Sequence, residues 1–210
     1  MESLGVAELA KLFAVVAQNM ADHEETLREM DAALGDGDLG ITMRKGFAAL
    51  AESVGTYEGN DCGEMLMKGG MAMAGAVPST MGTLMASALM QAGRGLRGQG
   101  AIDAAGLATL LEGLRDGVAK RGKCQEGDCT LLDVLAPAAR SARAKVDDED
   151  GGLTEVAQAA RAGASEGLEA TKGMVPRFGK AAVFGDKAVG LVDQGGQASV
   201  YLIEGLTSFA

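Results

Sequence analysis

Tryptophan is absent from this chain, and aromatic residues make up only 3% of its 210 positions. A core of this size is then built from Leu, Ala, Val and Met. Ala and Leu favour helix, and the aromatic residues that enrich strands are scarce, so the composition leans towards an all-α fold. There is a single histidine, His23, and three cysteines, Cys62, Cys124 and Cys129, with no C-x-x-C pair. That inventory excludes a closed zinc site and a disulfide framework, and it predicts reduced thiols in a cytoplasmic protein. No apolar run reaches the roughly 18 residues of a membrane span. The segment from Met1 to Lys11 carries Glu2 and Glu8 where a signal peptide has a basic region. Positive charge is also in short supply: 19 Lys and Arg against 29 Asp and Glu, a formal charge of −10. Such a surface repels nucleic acid and anionic membranes. A protein of this charge that binds phosphates has to neutralise them locally, which points to metal ions.

Apolar residues recur at helical spacing from Val6 to Met20, with Leu9, Leu12, Phe13 and Val16 on one face. A second helix is predicted over Asp22–Leu34. Others follow at Ile41–Val54, Cys62–Ala74, Ser79–Ala92, Ala101–Arg121, Thr130–Val146 and Leu153–Lys172. A loop is expected from Gly173 to Gly196, then a short apolar run from Gln197 to Thr207. That run could pass for a strand by propensity and is read as helix from its helical surroundings. The 32 glycines fall mostly between apolar runs and read as loops and caps. About eight amphipathic helices on short connections predict one domain, residues 1–210, folded as an antiparallel up-and-down helical bundle or barrel.

The densest chemical signal is Asp31-Ala-Ala-Leu-Gly35-Asp36-Gly-Asp38-Leu-Gly40, three carboxylates within eight residues. Like charges this close repel one another and ask for a cation. Oxygen donors alone suit Mg²⁺ or Ca²⁺ rather than zinc. An EF-hand is excluded, because the position that needs Glu is Phe47 or Thr42, depending on the first aspartate. Gly35, Gly37 and Gly40 match a G-x-G-x-x-G fingerprint, but that motif follows a strand, and here a charged helix precedes it. Taken locally, a solvated acidic turn fits the same residues.

Three further segments stand out. Gly75-Ala-Val-Pro78-Ser79-Thr80-Met-Gly82-Thr83 breaks a helix and restarts it with hydroxyl residues, which suits a phosphate or simply a Ser-capped helix. There is no Walker lysine. Gly127-Asp128-Cys129-Thr130-Leu-Leu-Asp133 offers Asp128 or Thr130 as a cap for the next helix. The late loop Pro176-Arg177-Phe-Gly179-Lys180-Ala181, continuing to Asp193-Gln-Gly195-Gly196, brings two basic side chains that could cover phosphates or simply face solvent.

In this order the four segments resemble the DhaL family, also called the DAK2 domain, the nucleotide-binding part of dihydroxyacetone kinases. The family pattern D-x-x-x-G-D-x-D-x-G is met by Asp31, Gly35, Asp36, Asp38 and Gly40. G-D-K-T-M-x-D survives as Gly127, Asp128, Thr130 and Asp133, with Cys129 and Leu131 in place of Lys and Met. G-R-A…D-P-G-A survives as Gly179, Lys180, Ala181, Asp193 and Gly195, with Lys180 in place of Arg and Gln194 in place of Pro. The Ser-Gly phosphate loop departs most, with Val77 and Pro78 in its place and Ser79, Thr80, Gly82 and Thr83 alongside.

The resemblance implies a barrel of eight antiparallel helices with ATP or ADP at one rim. Two Mg²⁺ ions would join its phosphates to Asp31, Asp36 and Asp38. Ser79, Thr80, Gly82, Thr83, Gly127, Thr130, Arg177, Asp193 and Gly195 would contact the nucleotide, and Lys180 or Arg177 would stabilise charge during phosphoryl transfer. It also implies a separate DhaK-like subunit that holds a small ketose on a histidine of its own. His23 is expected to be an exposed helix residue outside the site. Within the family the alternative is a phosphotransferase-system-linked subunit with permanently bound ADP, rephosphorylated by a phosphocarrier. Outside catalysis, the alternatives are a nucleotide-sensing regulatory module and a plain helical interaction protein.

Overall fold

The computed structural model describes residues 2–148 and 151–210. Helix α1 spans Val6–Asp22, α2 Glu24–Leu34, α3 Leu39–Gly55, α4 Cys62–Ala76 and α5 Thr80–Gly95. Helices α6 (Ala104–Gly122), α7 (Leu132–Val146), α8 (Leu153–Thr171) and α9 (Gln194–Leu206) complete the set among the described residues. Eight of them form a closed ring in which α1, α3, α4, α5, α6, α7, α8 and α9 each pack on the next, and α9 returns to α1. Helix α2 stands outside the ring and packs mainly on α3. The predicted eight-helix barrel is therefore present, with a ninth helix carrying the first aspartate to its rim. No helix among the described residues is long and apolar enough to cross a membrane.

The barrel interior is filled by Phe13, Met20, Phe47, Met43, Met65, Met73 and Met85, all fully buried within one continuous apolar cluster. With almost no aromatic volume available, the helices have to approach closely, and glycine lets them. A β-carbon at Gly113 of α6 would lie 2.3 Å from the Ala92 Cα of α5, and one at Gly63 of α4 would lie 2.3 Å from the Gly93 carbonyl oxygen. Both distances are shorter than any real contact, so these seams exist only without side chains. The expectation that glycines mark mainly loops and caps is corrected here, because many of them line helix crossings. Pro137 inside α7 cannot donate to the Asp133 carbonyl. That carbonyl faces Gly167 of α8, where a β-carbon would lie 2.3 Å away.

Other boundaries moved for local reasons. Ala101 and Ile102 do not begin α6. They pair antiparallel with Gly5 and Leu4 as a two-residue ladder, and α6 starts after Asp103, whose side chain accepts the Gly106 N–H at 2.9 Å. The last helix starts at Gln194 rather than Gln197, because Asp193 caps it by accepting the Gly196 N–H at 2.6 Å. The predicted loop over 173–196 also contains two 3₁₀ turns, Ala181–Val183 and Gly185–Ala188. His23 is not an exposed helical residue. It lies at the junction of α1 and α2, half-buried, with its ring stacked on Tyr201 at a centroid distance of 4.0 Å. Cys62, Cys124 and Cys129 are free thiols. Burial pushes the Cys129 thiol up to about 12, with the charges of Asp193 and Asp133 adding to the effect.

Candidate functional site

Helix α2 ends at Leu34, and the glycine-rich turn 35–38 folds back so that Asp38 becomes the first residue before α3. Gly37 takes φ +74°, a left-handed conformation that glycine adopts without strain. Asp31, in the last turn of α2, is buried, and its Oδ2 accepts the N–H groups of Asp38 at 3.0 Å and Leu39 at 3.3 Å. Asp31 thus does what the Asp38 side chain does not, satisfying the first N–H groups of α3. Asp36 and Asp38 are exposed, and one carboxylate oxygen from each of the three aspartates lies within 4.8 Å of the others. The convergence expected from the sequence is present.

The late loop reaches back to this cluster. Lys180 forms an ion pair with Asp36. Leu34, Ala181 and Ala188 form a small apolar cluster that anchors the loop beside the end of α2. Arg177 is fixed twice to the middle segment. Its N–H donates to the Asp128 carbonyl at 3.0 Å, and its guanidinium lies 3.5 Å from the Asp128 carboxylate. Asp128 is therefore not the cap of α7; it also accepts the Gln125 N–H at 2.8 Å. The cap-like role falls to Thr130, whose hydroxyl accepts the Leu132 N–H at 3.2 Å. Asp133 ties the turn from behind by accepting the N–H groups of Gly127 and Thr130. Gly127 is exposed at φ +94°, while Thr130 is buried.

Gly195 explains how the start of α9 joins the rim. A β-carbon there would lie 2.7 Å from the Met81 Cε and 3.6 Å from the Leu131 Cβ, so the first turns of α5, α7 and α9 meet at this glycine. The start of α3 joins them through Asp31 of α2, whose Oδ2 accepts the Leu39 N–H while its Oδ1 lies 3.4 Å from the Gln194 Nε2. Four helix N-termini, each with a positive dipole end, thus share one rim with the acidic cluster. Ser79 caps α5 by accepting the Gly82 N–H at 3.0 Å, and Thr83 donates its N–H to the Ser79 carbonyl at 2.9 Å. Gly82 is needed because a β-carbon would lie 2.4 Å from the Val77 carbonyl oxygen. Thr80 is exposed beside them. Among the described residues no hydrogen bond joins Ser79, Thr80 or Thr83 to the aspartates; they border the cluster through Met81 and Gly195.

Asp193 keeps some contact with solvent, yet its carboxyl group is enclosed deeply enough to be pushed up to about 7. Burial is the main cause; the Gly196 N–H opposes it and the charge of Asp133 adds to it. The sequence reading missed Gln194, the clamp made by Asp133 and the Asp128–Arg177 link. Gln194 carried one signal, its departure from the family proline.

The oxygen-only donor set fits a hard divalent cation. Magnesium–oxygen bonds of about 2.0–2.1 Å allow opposite ligands about 4.2 Å apart on one ion. Oxygens that lie within 4.8 Å of one another are close to that spacing, and the exposed Asp36 and Asp38 have room to adjust. A broad open depression of about 690 Å³ lies at the opposite end of the barrel, between the start of α1 and the end of α3. It is lined mainly by small residues such as Ala7, Ala10, Ala14 and Gly55 and gathers no comparable chemistry.

Fold and rim together define a class, an all-α barrel with a carboxylate cluster, helix N-termini and a basic loop gathered at one end. The model of the DAK2 domain matches residues 33–208, and the chain belongs to that family, the DhaL family. The ADP-binding subunit DhaL of PEP-dependent dihydroxyacetone kinase 1 from Listeria innocua is 29% identical over 190 residues, which is 90% of this chain and 89% of that protein. D-erythrulose kinase from Mycolicibacterium smegmatis is 31% identical over 193 residues, 91% of this chain and 33% of that protein. The crystal structure of the dihydroxyacetone kinase from C. freundii in complex with AMP-PNP and Mg²⁺ aligns with a TM-score of 0.73 at 26% identity, covering 100% of this chain and 35% of that one. The chain thus spans about a third of these two larger kinases.

Proposed function

We propose that this chain, as one unit over residues 1–210, is the ATP- or ADP-binding subunit of a two-component small-ketose kinase of the dihydroxyacetone type. The observation that carries the reading is the convergence of Asp31, Asp36 and Asp38 at a rim where four helix N-termini and a lysine meet. A relative that binds ADP and a fold neighbour in complex with AMP-PNP and Mg²⁺ support it.

Two bound Mg²⁺ ions would neutralise phosphate charge and hold the phosphate oxygens in line for transfer. The three aspartates would hold those ions. The first turn of α5, with Ser79, Thr80, Gly82 and Thr83, cradles a phosphate through its N–H groups and hydroxyls. Gly127, Thr130, Asp193 and Gly195 shape the remainder of the nucleotide site, and Arg177 reaches over it from the late loop. Lys180 exchanges Asp36 for the phosphoryl group and stabilises the charge that develops there.

In this reading the sugar comes on a DhaK-like partner subunit, in a reducing cytoplasm. The late loop fits that docking, because beside its two basic side chains it exposes Phe178, Val183, Phe184, Val189 and Leu191. A second reading within the same site rests on the PEP-dependent relative: ADP stays bound and is rephosphorylated by a phosphocarrier of a phosphotransferase system.

Calorimetry with ADP, with and without Mg²⁺, tests the binding. Phosphorylation of dihydroxyacetone and erythrulose is then measured with a DhaK-like partner and either ATP or a phosphocarrier as donor. Nucleotide binding that ignores Mg²⁺ overturns the site. Transfer to neither sugar with any donor overturns the kinase reading and leaves a nucleotide-sensing module. ADP that survives gel filtration selects the phosphocarrier route.

A further inference from the structure

Gln194 is the first residue of α9, and its carboxamide points into the acidic rim. Its Nε2 approaches the Asp31 Oδ1 at 3.4 Å, longer than a normal N–H···O bond. Its Oε1 is sealed from solvent and has no hydrogen-bond partner. A buried acceptor left unpaired is costly. Turning the amide over only transfers the difficulty, because Nε2 would then lack an acceptor and Oε1 would face a carboxylate. Neither orientation satisfies both atoms with the protein's own groups.

A divalent cation between Gln194 and Asp31 gives the oxygen of the turned amide a partner and removes its clash with the carboxylate. We propose that Gln194 is a fourth protein ligand of the cation held by Asp31, its carboxamide turning so that Oε1 takes the position of Nε2. The inference rests on the metal role proposed above for the aspartates. Neighbouring ligands on one Mg²⁺ lie about 3 Å apart, so an oxygen placed where Nε2 stands, 3.4 Å from the Asp31 Oδ1, needs only a slight shift to share an ion with it. The Asp31 Oδ2 is already engaged by the Asp38 and Leu39 N–H groups. Oδ1 is thus the oxygen free to bind metal, and it is the one that Gln194 faces. A carboxamide adds a donor without adding a fourth negative charge to a cluster that already repels itself. The ligand also ties the α2–α3 turn to the start of α9, which Asp193 caps from the preceding position.

The test titrates Mg²⁺ into the full chain by calorimetry in the presence of ADP, beside thermal melts in EDTA. Gln194→Pro removes the carboxamide while suiting the backbone. Proline is favoured at the first helical position, and the preceding Asp193 has the extended φ −66°, ψ 125° that a following proline requires. The expected result is Mg²⁺ affinity reduced about tenfold with an unchanged melting temperature in EDTA. Gln194→Glu is expected to lower the melting temperature in EDTA, through repulsion from Asp31, and to raise Mg²⁺ affinity. A packing role alone would move melting temperature without this opposite pair of affinity changes. Wild-type Mg²⁺ affinity in both variants overturns the proposal. Asp38→Asn serves as the control: if it weakens Mg²⁺ binding and the Gln194 variants do not, only the Gln194 assignment fails. If Asp38→Asn also binds as wild type, the metal role of the aspartates fails with it.

Discussion

Replacing Asp38 by Asn is expected to make the protein more stable without cation and less responsive to it. The reason lies in carboxylate oxygens that all lie within 4.8 Å of one another. Two unit charges at that distance repel by about 1 kcal/mol in a water-like dielectric and about 3.5 kcal/mol at an effective dielectric of 20. Asp38 is exposed, so the lower figure applies. Asn is nearly isosteric, and the backbone N–H that Asp38 donates to Asp31 is unaffected. In EDTA the variant gains about 1 kcal/mol, a rise of about 2–4 °C in melting temperature for a chain of this size. With Mg²⁺ and ADP at about 100 times the dissociation constant, the wild type gains about 2.7 kcal/mol, or about 5–10 °C. The variant, lacking one charged ligand, loses most of that gain. Asp36→Asn is the less clean probe, because it also breaks the ion pair with Lys180. Differential scanning calorimetry in EDTA and in Mg²⁺-ADP reads both effects. A variant that melts below the wild type in EDTA, or keeps the full ligand shift, refutes the reasoning.

Three other outcomes follow from particular contacts. Gly113→Ala sets a β-carbon against the Ala92 Cα at 2.3 Å and should cost about 1–3 kcal/mol through overpacking, seen as a lower urea midpoint with an unchanged slope; a neutral result would show that the α5–α6 seam has slack. The Asp193 carboxyl is raised from 3.8 to about 7 in the fold, so the folded state holds a proton that the unfolded chain releases. Its contribution to stability is complete below about pH 4 and is lost as pH rises towards 7. Asp193→Asn should flatten that decline while keeping the cap, and an unchanged pH profile would contradict it. Val183 is 88% exposed on the late loop; Val183→Asp should weaken association with a DhaK-like partner about tenfold or more and leave ADP affinity unchanged, measured by surface plasmon resonance and calorimetry, and a normal complex would remove this loop from the interface.

Some of this chemistry is local and was legible in the residues. Asp31, Asp36 and Asp38 span eight positions, and the glycines between them allow one tight turn, so nothing distant is needed to bring the carboxylates together. The all-α class likewise follows from an Ala- and Leu-rich chain with hardly any aromatics. The helix seams were not legible, because Gly63 and Gly113 fall inside predicted helices with nothing in the residues to show that a second helix lies against them. The partners of the acidic loop were not legible either. Lys180 reaches Asp36, and Gln194 faces Asp31 from 163 residues away, through the closing of the ring by α9. Sequence alone determined which carboxylates gather, since that depends on charge and spacing along a few covalent bonds. Only the tertiary structure decided what surrounds those carboxylates, since helix packing sets which N-termini and side chains share that rim and how deeply Asp193 is buried.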